Sequence, residues 1–143
     1  MPRSLKGKRD ALLDIALSTS VTASFPRDRL TFLYDFPASQ AALARTRGPL
    51  ASRFEAFWGD IELANGFHEL TDVAEQARRF EADLASRHSQ GQRQPGVDRL
   101  LLAALSSGLP DCSGVALGFD RLLMIAAGVE HIDKVRSFPF ERA

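Results

Sequence analysis

The sequence predicts an α+β domain whose sheet is mostly antiparallel and flanked by helices. Two β-type runs, residues 53–58 and 61–70, are separated only by Gly59-Asp60, which suits a hairpin and not a parallel crossover. Helical-period runs open beside Asp72, Asp98 and Asp120, a residue type that caps helix N-termini. Between the last two, residues 114–118 alternate small and large side chains, as a strand with one stripped face would.

Residues 1–9 are basic and expected to fray. Residues 10–17 carry apolar positions at helical spacing, and 18–29 read as a loop broken at Pro26. Residues 30–36 are rich in β-formers and stop at Pro37, which predicts a strand. Residues 38–45 suit a short helix ended by Gly48-Pro49. The strand 53–58 alternates with Phe54 on one face, and the strand 61–70 is interrupted at Asn65-Gly66. Asp72 with Glu75 three residues on predicts a capping-box start. The helix after it places Val73, Ala77, Phe80 and Leu84 inward, and Arg78, Arg79, Glu81 and Asp83 in water, as far as Gly91. Asp98 caps a strongly apolar helix ending at Gly108. The stripped strand follows, with Val115, Leu117 and Phe119 anchoring it in a core, and a last helix capped by Asp120 runs to Gly128.

A chain of 143 residues with 45% apolar content can build one domain with a real core. Its formal net charge of zero argues against non-specific binding to nucleic acid or anionic membrane. No apolar run approaches the ~18 residues of a membrane span. The start lacks the apolar core of a signal peptide, and the single Cys112 has no internal partner, so a cytoplasmic protein is expected. Cys112 reads as a small core residue.

Two stretches could carry chemistry. Glu62 and Glu69 lie seven apart, which puts them on opposite faces of a regular strand. A bulge at Asn65-Gly66 would bring both to one face, where they could hold Mg²⁺ with substrate phosphates or a cationic group. The alternative is a solvated strand face. His68 reads as an ordinary surface residue or a support to a site. Arg121, in the first turn of a helix, opposes the helix dipole unless an anion sits there. Its other reading is a partner for a nearby carboxylate.

The motif Gly114-x-Ala116-x-Gly118-x-Asp120-Arg121 resembles motif 3 of the class II aminoacyl-tRNA synthetases. Glu62-Leu-Ala-Asn-Gly-Phe-His-Glu-Leu-Thr-Asp72, with Glu75-Gln76 and Arg79-Phe80, looks like the lysine-specific branch. Three details resemble the lysyl-tRNA-synthetase-like paralogues that ligate (R)-β-lysine to elongation factor P. They are the run from Phe36 to Ala44, and Ala64 and Ala116 where true synthetases carry glycine.

The resemblance implies that residues 28–143 form the C-terminal part of a class II catalytic domain, with 1–27 a loosely matched segment holding a short helix. It implies an ATP-dependent ligase that activates a lysine-type amino acid as an aminoacyl-adenylate, with ATP and Mg²⁺ as cofactors. By position, Arg121 is the catalytic residue and binds the γ-phosphate. Glu62, Leu63 and Gly118 join it around ATP. Glu69, Asn65, Gly114 and Ala116 take the amino-acid substrate, and Glu62 and Glu69 hold Mg²⁺. Elongation factor P is the implied acceptor, tRNA is disfavoured, and a homodimer stays open. Motif 1 and the Phe-Arg-x-Glu strand pair of motif 2 have no counterpart among these residues. Loss of the α-phosphate arginine typically costs about 10²–10³-fold or more, so impaired catalysis is expected of the chain alone. A non-catalytic ATP- or amino-acid-binding or assembly domain is the alternative, and lysyl-tRNA aminoacylation a third.

Overall fold

The computed structural model describes residues 9–140; residues 1–8, most of the basic start, lie outside it. Its elements in chain order are α1 (Arg9–Ala16), β1 (Leu30–Pro37), β2 (Thr46–Arg47), β3 (Leu50–Trp58), β4 (Ile61–His68), α2 (Val73–Ser89), α3 (Arg99–Ser106), β5 (Ser113–Leu117) and α4 (Phe119–Ala126). Every strand pairing is antiparallel, in the order β1-β3-β4-β5, with short β2 against the start of β3. The mostly antiparallel α+β class follows from that order.

Four local expectations are corrected. The segment after α1 is not a loop but continues as a π-turn (Leu17–Val21) and a 3₁₀ turn (Thr22–Ser24). Hydroxyls of Ser18, Thr19, Thr22 and Ser24 donate back to carbonyls three or four residues earlier, which keeps the chain winding. Residues 38–45 form only a 3₁₀ turn, Ala38–Gln40, because Ala42 takes a positive φ of 50° that ends any helix. Ala41 and Ala44, within that run, instead lie buried as small residues under the chain. With Phe36 and Ala51 they form the tightest core cluster, against which Leu17, Leu33 and Phe67 pack. Asp72 and Asp98 cap α2 and α3, accepting from the amides of Glu75 and Leu101. Arg79 does not face water as expected. It reaches inward, and its Nη1 donates to the carbonyls of Ala42 and Ala44 at 3.0 and 2.8 Å.

The fourth correction concerns β5. Val115, Leu117 and Phe119 are not anchored in a core; they are 61%, 51% and 69% exposed. β5 ends the sheet order, and no described element covers its apolar side. The register extends that side across the sheet to Phe54, Phe32 and Tyr34, the last two also exposed.

Candidate functional site

The opposite side of the sheet collects the polar residues. Ala56 pairs with Ala64, and the next residue, Phe57, pairs with Glu62, so Leu63 is an extra residue without a partner on β3. One extra residue resets the alternation. Glu62 therefore shares a face with Asn65 and Phe67, with Arg53, Glu55 and Phe57 of β3, and with Gly114 and Ala116 of β5. Glu69 continues this parity just past β4. The bulge expected at Asn65-Gly66 sits instead at Leu63. Gly66 stays in the ladder opposite Phe54, where an added Cβ would fall 2.3 Å from that ring. The Leu63 carbonyl accepts from the Gly118 amide at 2.8 Å, which ties the bulge to the start of α4.

A cavity of about 750 Å³ opens at the Glu62 end of this face. Glu55 and Glu62 line it from the sheet, Asp14 from α1, and Arg121 and Met124 from α4, with His131 beyond. Arg121 reaches across the sheet edge, and its Nη1 donates to the Glu62 carbonyl at 2.7 Å. That bond goes to a backbone oxygen and not to a carboxylate. A guanidinium carries five N–H donors, so most of its capacity faces the cavity and solvent. Asp120 is not the cap expected of it. Gly118 holds the N-cap position without a side-chain bond, and Asp120 instead lies 3.7 Å from Arg136.

The electrostatics centre on Glu55, a residue the sequence reading passed over. Burial pushes its carboxyl above the usual range, Arg53 pulls it back, and the charges of Glu62 and Asp14 push it up again. Glu55 and Glu62, from adjacent strands, thus share one electrostatic neighbourhood. Two hard oxygen donors beside an open volume fit Mg²⁺ held jointly with substrate phosphates. Among the described residues no group of three or more His, Cys, Asp or Glu could hold a metal alone. The pairing of Glu62 with Glu69 around one ion is corrected. Both lie on one face, but seven residues of extended chain separate them by roughly 20 Å.

Glu69 occupies the other end of the face. A Cβ built on Gly114 would lie 2.3 Å from its Oε1, so the carboxylate rests on bare backbone. Asn65 and Ala116 pair in register between the two ends. Asn65 Oδ1 accepts from Arg53 Nε at 3.2 Å. Behind Glu69, Arg45 donates from Nε to the Glu69 carbonyl at 2.8 Å and pairs through Nη2 with Asp111 at 3.0 Å. His68 Nε2 lies 2.6 Å from the same carboxylate. The hydrogen bond with His68, then the Arg45 charge, hold Asp111 below the usual carboxylate range. His68 is therefore a structural latch at the end of β4. Cys112 is half-buried, and its carbonyl accepts from the Glu69 amide.

The site residues read from sequence thus form two groups along one strip. Glu62 and Arg121 line the cavity, with Leu63 and Gly118 bonded to each other next to them in the chain, and Glu69 and Gly114 stand at the far end, with Asn65 and Ala116 between. Glu55, Arg53 and Asp14 were missed. The spacing of Arg53 and Glu55, two apart on a strand and so on one face, was the available signal.

Comparison with known proteins bears on this strip. The family of class II tRNA synthetases (D, K and N) matches residues 14–142. An elongation factor P–(R)-β-lysine ligase of Vibrio cholerae serotype O1 is 51% identical over 138 residues, covering 94% of this chain and 43% of the relative. Proteins of the same name from Klebsiella pneumoniae (strain 342) and Salmonella gallinarum are 51% and 50% identical, each over 94% of this chain and 42% of their own. The chain therefore spans 42–43% of the length of these relatives. No helix among the described residues is long and apolar enough to cross a membrane.

Proposed function

The chain belongs to the class II tRNA synthetases (D, K and N), and from that premise we propose that it is part of a lysyl-tRNA-synthetase-like ligase. In this reading the ligase activates a lysine-type amino acid with ATP and passes (R)-β-lysine to elongation factor P. The carrying observation is the single strip that runs from the acidic cavity with Arg121, past Asn65 and Ala116, to Glu69 over Gly114. Its length of roughly 20 Å suits a nucleotide joined end to end with an extended amino acid.

The assigned chemistry is adenylation. A carboxylate oxygen of the amino acid attacks the α-phosphorus of ATP, and the bond to the β-phosphate oxygen breaks with its electrons leaving on pyrophosphate. Arg121 binds the terminal phosphate, where its exposed donors meet three anionic oxygens. Gly118 and the Leu63 backbone fit the nucleotide beside it. Glu55 and Glu62 would hold Mg²⁺ together with the phosphates, and the ion would supply neutralisation of phosphate charge there. Glu69 takes an amino group of the substrate, Asn65 orients the middle of the strip, and Ala116 adds one methyl that trims the pocket. Catalysis of this kind is positioning plus charge stabilisation. Taken alone, the chain has no Phe-Arg-x-Glu segment to grip the α-phosphate, and its turnover is slow.

ATP–pyrophosphate exchange with α-lysine and with (R)-β-lysine tests this reading. Exchange above background that prefers (R)-β-lysine and vanishes in Arg121→Ala supports it. Absence of both exchange and ATP binding sinks it. The exposed apolar side of the sheet favours a second reading, an assembly domain. ATP binding without exchange, together with association in sedimentation, supports that one.

A further inference from the structure

We infer that Arg53 is a positioning residue, a fork that sets the Glu55 carboxylate in the cavity beside Glu62 before any cation arrives. The inference rests on the reading of Glu55 and Glu62 as a Mg²⁺ pair. Arg53 and Glu55 are nearly covered, with side chains 17% and 10% exposed. Arg53 Nη2 donates to Glu55 Oε1, Nη1 to the Gln40 carbonyl at 3.0 Å, and Nε to Asn65 Oδ1 at 3.2 Å. The guanidinium lies over the Phe36 ring at 4.3 Å from its centroid, with Phe67 further off at 5.9 Å. Three donors committed to three elements leave the plane little freedom.

The network extends beyond the sheet. Gln40, whose carbonyl holds Arg53, donates from Nε2 to Asp14 Oδ1 at 2.7 Å on α1. Ser39 beside it donates to Asp10 Oδ1 at 2.9 Å. The turn from Phe36 to Gln40, which the strip itself does not use, thus ties the α1 wall of the cavity to the fork behind Glu55. Arginine suits the place and lysine does not, because one ammonium cannot span three acceptors in a plane. A partner that orients a metal ligand from behind typically affects affinity about 10–100-fold.

The test reads metal in the presence of a saturating non-hydrolysable ATP analogue, because the two carboxylates hold the ion jointly with phosphates. Mn²⁺ is titrated by electron paramagnetic resonance into the full chain and into Arg53→Lys, Arg53→Gln, Glu55→Gln and the double variant Arg53→Lys/Glu55→Gln, with a thermal melt of each. The expected result is roughly tenfold weaker Mn²⁺ binding in Arg53→Lys and no further loss when Glu55→Gln is already present. Arg53→Lys keeps charge and stem, so the test stands even where Arg53→Gln does not fold. A lowered melting temperature with wild-type Mn²⁺ affinity in Arg53→Lys overturns the inference and leaves the metal reading intact. Additive losses in the double variant also overturn it. No Mn²⁺ binding by the wild-type chain removes the metal reading, and the fork's role with it.

Discussion

The carboxylate of Glu69 lies directly on the backbone of Gly114, with its Oε1 only 2.3 Å from where a Cβ would stand. Gly114→Ala must therefore displace Glu69. Overpacking of this kind costs about 1–3 kcal/mol, so a lower melting temperature is expected. If Glu69 binds a substrate amino group, calorimetric affinity for the lysine-type amino acid falls as well. Wild-type behaviour in both measurements would show that the carboxylate has another place to rest.

Arg121 is exposed and bonded to one carbonyl, so its removal leaves the fold nearly untouched. Arg121→Ala is expected to change stability by less than about 1 kcal/mol. ATP affinity should drop roughly ten- to a hundredfold, the worth of a charged hydrogen bond. Titration of ATP by calorimetry in the presence of Mg²⁺ separates the two effects. An unchanged affinity removes Arg121 from the phosphate site.

The three aspartates near helix starts are not equivalent. Asp72→Ala and Asp98→Ala each lose a bond to a first-turn amide, and each should cost about 0.5–2 kcal/mol. Asp120→Ala loses no cap and is expected to stay within about 0.5 kcal/mol of wild type. Thermal melts of the three variants rank them directly, and a large loss in Asp120→Ala would contradict the cap assignment.

Asp111 titrates low because His68 and Arg45 surround its carboxylate. A group whose folded value is depressed gives stability that is complete above its unfolded value and is lost as pH falls through the folded one. The latch should therefore loosen only on the acid side, below the ordinary carboxylate value of 3.8. Melting temperature against pH should fall less steeply there in Asp111→Asn than in wild type. Parallel acid limbs would count against the latch.

Local chemistry carried much of this fold. The caps at Asp72 and Asp98, the hairpin turn at Gly59 and the stripped face at Gly114 and Ala116 all depend on residues close in sequence. What escaped was set by tertiary partners. The winding of residues 17–24 comes from hydroxyl bonds to backbone that no apolar period reveals. The spacing of Ala41 and Ala44 imitates a helix because both fill one tight cluster. Glu55 joins Glu62 only through the register of two strands, which sequence spacing does not express. Arg79 looked solvated by helical phase, yet its partners are the carbonyls of a distant turn. Val115 and Leu117 showed their common side, but not whether anything would cover it.

The unpaired Leu63 gives the strand a property that resembles a frameshift in a coded message. Substitutions along residues 62–69 alter one side chain at a time, but gaining a single residue there swaps every side chain on one flank of the change, while losing Leu63 removes the bulge and swaps none. Deleting Leu63 would only remove the bulge and leave Glu62 opposite Phe57 on the face of Asn65 and Glu55, whereas a residue inserted between Glu62 and Leu63 would turn Glu62 away from Arg121's cavity and from Glu55. Natural variation in this stretch should thus accumulate as replacements, with a single lost residue tolerated at the bulge and single insertions not.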